Sequence, residues 1–61
     1  MPIITVDALE GRTIEQKRAL VKDITVAVVK HFNVEPDAVL VNIRDIDKGN
    51  FAKAGKLRCD S

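Results

Sequence analysis

Along the first nine residues apolar and polar positions alternate. The segment Ile3-Ile4-Thr5-Val6-Asp7-Ala8-Leu9 is rich in β-branched residues and puts Ile4, Val6 and Ala8 on one face. That is the period-2 pattern of a half-buried strand. Glu10-Gly11-Arg12 interrupts it. Thr13-Ile14-Glu15-Gln16 then has the form of a capping box, in which the hydroxyl and the later amide side chain serve backbone N–H groups that a helix start leaves unpaired. Behind it the spacing changes to that of a helix. Leu20, Val21, Ile24, Ala27, Val28 and Phe32 form one apolar arc, predicting a helix from about Ile14 to Phe32. Ala19, Val26 and Val29 fall outside that arc, on a narrower second stripe. A lone subunit has little use for a second stripe, whereas a subunit interface does.

Asn33 to Asp37, with Pro36 among them, ends the helix. Ala38 to Ile46 reads as a second strand with Val39, Val41 and Ile43 on one face. Two strands joined by a long helix make a βαβ unit, so the strands are expected to be parallel and the crossover right-handed. The remaining residues carry turn signals around Gly49-Asn50 and predict a small hairpin or an arm. The fold class is therefore α/β (α+β): a βαβ unit with parallel strands and a short C-terminal hairpin or arm, one domain over residues 1–61. Two strands under one helix leave sheet edges open and the core small, so the sheet is expected to continue across subunits.

Composition sharpens that expectation. A 61-residue chain, 46% apolar, needs a staple: disulfides, a metal or partner subunits. Cys59 is the only cysteine, which excludes an intrachain disulfide, and one Cys with one His (His31) makes no structural zinc set. Oligomerisation is what remains. Ten Lys/Arg against nine Asp/Glu leave a net charge of +1, spread along the chain, and the aromatics are Phe32 and Phe51 alone. A basic, base-stacking nucleic-acid surface is thus disfavoured. No apolar run approaches the roughly 18 residues of a membrane span, and no signal-peptide pattern opens the chain. With a lone thiol, the expectation is a soluble protein of the reducing cytoplasm.

Candidate chemistry is sparse. Gly11, Gly49 and Gly55 make neither a dinucleotide-binding nor a phosphate-loop pattern, and no acidic or His cluster has ligand spacing. His31 reads as a helix-end residue, favourable there when protonated, and Cys59 as a tail residue without a base beside it. Pro2 is different. Removal of Met1 would leave it a free secondary amine on a rigid ring at the start of a strand. Burial and a nearby cation lower the pKa of such an amine, which suits it to act as a general base near neutral pH.

Several segments carry a resemblance: Pro2-Ile3-Ile4, Leu9-Glu10-Gly11-Arg12-Thr13, Glu15-Gln16-Lys17, Lys48-Gly49-Asn50-Phe51 and Ala54-Gly55. Together they resemble the 4-oxalocrotonate tautomerase family over nearly the whole chain. The resemblance implies βαβ subunits assembled as a hexamer, a trimer of dimers, and a cofactor-independent isomerase. Pro2 matches the proline that shuttles a proton between oxygen and carbon of an enol or dienol. Arg12 matches an arginine that binds a substrate carboxylate and helps keep that proline neutral. Phe51 matches an aromatic that makes the pocket apolar.

The departures bear on specificity. Relatives specialised for a dicarboxylate dienol carry a second arginine where this chain has Leu40. Losing it removes a charge-assisted donor from the developing oxyanion or the far carboxylate. Arg44 lies on the same strand face, about 13 Å further along, too far to substitute within one chain. The expected substrate is a 2-hydroxy-dienoate or enol-pyruvate-type carboxylate, with oxalocrotonate itself disfavoured. Lys53 and Leu9 occupy positions where related dehalogenases use Glu and Arg, which disfavours dehalogenation. Leu40 also motivates a second reading, a ligand-binding or structural oligomer that kept the scaffold without catalysis.

Overall fold

A computed structural model describes residues 1–61. Strand β1 spans Ile3–Leu9, helix α1 spans Ile14–Phe32 and strand β2 spans Leu40–Ile46. The two strands are parallel, in register from Ile3 opposite Leu40 to Leu9 opposite Ile46. A two-stranded antiparallel hairpin follows, β3 (Ala52–Lys53) and β4 (Lys56–Leu57). The expected βαβ unit with a terminal hairpin is what the chain forms.

Local chemistry accounts for the boundaries. The Thr13 hydroxyl accepts from the Gln16 N–H at 3.1 Å, and Gln16 Oε1 accepts from the Thr13 N–H at 2.9 Å. Both arms of the capping box are therefore made. At the other end Asn33 adopts a left-handed conformation (φ 55°) and its N–H closes on the Val29 carbonyl at 3.0 Å. Strand β2 begins at Leu40, two residues later than the sequence pattern predicts. Pro36–Ala38 form a 3₁₀ turn whose bonds (Ala38 N–H to Glu35 carbonyl, Val39 N–H to Pro36 carbonyl) occupy the amides that a longer strand would use.

The hairpin turn is displaced too. Gly49-Asn50, expected to turn the chain, lie in a 3₁₀ turn closed by the Asn50 N–H on the Asp47 carbonyl at 2.8 Å. The reversal falls at Ala54-Gly55, both with positive φ (53° and 80°). That is the conformation a two-residue hairpin loop takes to match strand twist. Alanine there bears about 1–2 kcal/mol of left-handed strain, partly offset because glycine has more unfolded-state entropy to lose. Ala54→Gly is accordingly expected to raise the urea midpoint slightly at fixed protein concentration. An unchanged or lowered midpoint would contradict this account of the turn.

Helix α1 covers one sheet face. Ile4, Val6, Ala8, Val39, Val41 and Ile43 are half-buried beneath it, as their alternation predicts. The helix face differs from the predicted arc. Val21, Ile24 and Val28 do turn inward, but Lys17, Thr25 and Val29 join them while Leu20, Ala27 and Phe32 are exposed. Two polar residues are tolerated because each has a partner: Thr25 donates to the Val21 carbonyl at 2.7 Å, and Lys17 reaches Asp45 at 2.6 Å. Phe32 lies outside because 19 helical residues span about 28 Å, while seven strand residues span about 23 Å. The helix end overhangs the sheet.

No residue is fully buried. Ile3, Ile14, Val26 and Phe32 are each at least 60% exposed. The radius of gyration is 14.7 Å, whereas a compact chain of this length would have about 10.5 Å. A slab of 44 × 23 × 13 Å with its large apolar side chains outside is shaped as a subunit, not as a free-standing globule.

Candidate active site

Pro2 directly precedes β1 and is half-buried. Its carbonyl accepts from the Leu40 N–H at 3.0 Å, which ties it to the first residue of β2. While Met1 is attached, the Pro2 nitrogen is a tertiary amide, with neither a proton nor a basic lone pair. Met1 itself is 82% exposed. Next to this end of the sheet stand Ile3 and Leu40, paired across the strands on the face that α1 leaves open.

Arg12 lies at the opposite end. The chain leaves β1 through Gly11 at φ 122°, a conformation that L side chains rarely adopt. The Arg12 Nη1 then donates to the Leu9 carbonyl at 3.0 Å. From Ile3 to Leu9 the strand advances six residues, about 20 Å at roughly 3.3 Å each. Pro2 and Arg12 therefore do not meet within one chain. Phe51 follows the end of β2 and so lies beyond the same end of the sheet as Arg12. It lines an open hollow of about 220 Å³ with Lys53, Ala54, Lys56, Arg58 and Ser61, to which no residue of β1 contributes.

The other singled-out residues resolve simply. Arg44 is taken by Asp7 at 3.1 Å on the open sheet face. Leu40 is 43% exposed and presents an apolar side chain at the position where a second arginine is expected only of dicarboxylate-specialised relatives. His31 and Cys59 are exposed, and no three His, Cys, Asp or Glu side chains gather as a metal site. Sequence reasoning gave no role to the cations around Phe51. The signal was present in the alternation of residues 51 and 53 with 56 and 58 about a two-residue turn, and misplacing the turn hid it.

A parallel βαβ unit with a half-buried proline ahead of its first strand, and with its candidate arginine past that strand's far end, defines the class of small subunit to which the chain belongs. The comparisons name the class. The family model described as tautomerase enzyme matches residues 2–59. The 2-hydroxymuconate tautomerase of Bacillus subtilis is 43% identical over 60 residues, covering 98% of this chain and 97% of that protein. The crystal structure of YwhB, a homologue of 4-oxalocrotonate tautomerase, superposes with a TM-score of 0.91 at 42% identity, covering 98% of each chain. A heterohexameric 4-oxalocrotonate tautomerase from Chloroflexus aurantiacus J-10-fl superposes with a TM-score of 0.87 at 25% identity, covering 98% of this chain and 97% of that one. The chain belongs to the tautomerase family, which supports tautomerase-type, isomerase chemistry.

Proposed function

We propose that this chain is the subunit of a cofactor-independent tautomerase acting on a 2-hydroxy-dienoate or a related enol carboxylate, with the Pro2 amine as general base after removal of Met1. The observation that supports this most is the position of Pro2, half-buried at the head of β1 with its backbone fixed to Leu40. A free Pro2 nitrogen takes the proton from the enol O–H. The electron pair of that bond becomes the carbonyl π bond, and the displaced π pair takes the proton back from Pro2 at carbon. The ammonium formed in the first half is consumed in the second, so the cycle closes without a co-reactant.

For Pro2 to act near neutral pH, its charged form must be disfavoured. Half-burial does this, and so does a guanidinium close by. Since one chain holds Pro2 and Arg12 about 20 Å apart, the Arg12 beside a given Pro2 comes from a neighbouring subunit. There it pairs bidentately with the substrate carboxylate. Phe51 supplies an apolar wall, where such charge pairing is stronger than in water. The assembly we propose is a homohexamer, a trimer of dimers, with a hexameric relative in support. It would also cover the exposed apolar faces. The reducing cytoplasm is the compartment proposed for it. No helix of the chain is long and apolar enough to cross a membrane.

Enol and dienol mono- and dicarboxylates, assayed with protein whose N-terminal amine is free, test the reading. Turnover of at least one, with kcat/KM of about 10⁴ M⁻¹s⁻¹ or more, is expected. Binding without turnover of any would favour the second reading, a non-catalytic ligand-binding or structural oligomer, which Leu40 motivates.

A further inference from the structure

Glu10, Gly11 and Arg12 join the end of β1 to the helix cap, and the chain is anchored on both sides of them. The Glu10 N–H donates to the Ile46 carbonyl at 2.9 Å. Thr13 is fixed by both arms of the capping box, and one turn further on Lys17 reaches Asp45 at 2.6 Å. Gly11 lies between these anchors at φ 122°. Lack of space does not explain a glycine there, since a Cβ on residue 11 would meet no heavy atom within 4 Å. The backbone angle does, because L residues hold it only under strain.

Arg12, the next residue, folds back on the strand that the chain has just left. Its Nη1 donates to the Leu9 carbonyl at 3.0 Å. The ion pairs of the chain are Lys17–Asp45, Arg18–Glu15 and Arg44–Asp7, so no carboxylate neutralises Arg12. A carbonyl orients a guanidinium while leaving its charge and its remaining N–H donors free.

We infer that Gly11 is a positioning residue, whose positive φ seats the Arg12 guanidinium on the Leu9 carbonyl and so presents an unneutralised cation to a substrate carboxylate. That role rests on the tautomerase reading for what Arg12 binds. An L side chain at residue 11 drives φ back to negative values. With Glu10 and Thr13 anchored, the displacement falls on Arg12.

Chemical synthesis of the chain from Pro2 gives the free amine and allows either hand of alanine at residue 11. D-Alanine prefers the mirror-image angles and takes this φ without the strain that L-alanine meets. The probes are 2-hydroxyhexa-2,4-dienoate for turnover and hexa-2,4-dienoate (sorbate), which lacks the enol hydroxyl, for binding alone. In the assembled protein, Gly11→Ala is expected to raise KM for the enol about tenfold and to weaken sorbate by a similar factor, since small misplacements of a binding group carry losses of that order. Gly11→D-Ala should hold both at parent values. Added to Arg12→Ala, Gly11→Ala should change neither any further, because both changes act through one guanidinium.

Parent values after Gly11→Ala overturn the positioning role, as does a loss of equal size with D-alanine or in the Arg12→Ala background. Dissociation of the L-alanine chain, read by sedimentation, would assign Gly11 to assembly and overturn it too. So would failure of the parent to bind sorbate, because Arg12 would then hold no carboxylate. Should no enol carboxylate be turned over while sorbate follows the expected pattern, the tautomerase reading fails and the role of Gly11 stands.

Discussion

Replacing Pro2 with alanine lowers kcat/KM for an enol carboxylate by about 10²–10⁴-fold, the contribution of a positioned general base. The chain after Met1 removal would still end in an amine, but a primary one on a rotatable Cα instead of a ring. The loss should fall on turnover and leave stability nearly unchanged, because the Leu40 N–H bond goes to the backbone carbonyl of residue 2, which alanine keeps. The pH profile carries the same information. Only neutral Pro2 accepts a proton, so kcat/KM is expected to rise with pH as the free enzyme's base loses its proton. If the alanine variant matches the parent in steady-state assays, Pro2 is not the base.

Arg12→Ala costs about 10²–10³-fold in kcat/KM, in the range seen when one preorganised electrostatic donor is removed. It also moves the rising limb of the pH profile upward, because losing a nearby cation makes protonated Pro2 easier to form. The decisive property is where Arg12 acts. With Pro2 and Arg12 at opposite ends of β1, a site that needs both draws them from two chains. Mixing inactive Pro2→Ala subunits with inactive Arg12→Ala subunits, by co-expression or by denaturation and reassembly, should then regenerate some intact sites. In a random equal mixture about a quarter of sites recover both groups, since each residue comes from an independently chosen chain in a symmetric assembly. Restored activity near that level is the expected result. Mixtures no more active than their parents would mean that the two residues serve one chain, or that Arg12 plays no part.

Much of this is legible in the sequence alone. The alternation in Ile3–Leu9, the capping box at Thr13 and the stop at Asn33 give β1 and α1 their observed limits, because each is decided by neighbours in sequence. Leu20, Ala27 and Phe32 were less legible. Periodicity shows that a helix has an apolar stripe but not which side meets its own sheet when another side is kept for partners. Thr25 and Lys17 turn inward only because the Val21 carbonyl and Asp45 receive them, and the Lys17–Asp45 contact spans 28 positions. The hairpin turn was misplaced because Gly49-Asn50 is the stronger turn signal by composition, yet the chain uses Ala54-Gly55 with alanine at positive φ. The candidate site was legible as a set of residues and illegible as a place. Pro2, Arg12 and Phe51 stand out by resemblance, but their separation along the sheet appears only once the register of β1 and β2 is known.

The central claim is that a free Pro2 nitrogen performs the proton transfer. Intact-mass analysis paired with turnover, on protein processed to expose Pro2 and on protein that keeps Met1, tests it most directly. Turnover of an enol carboxylate is expected in the preparation whose mass lacks methionine, and none above background where Met1 remains. Equal turnover by protein with Met1 fully retained would contradict it.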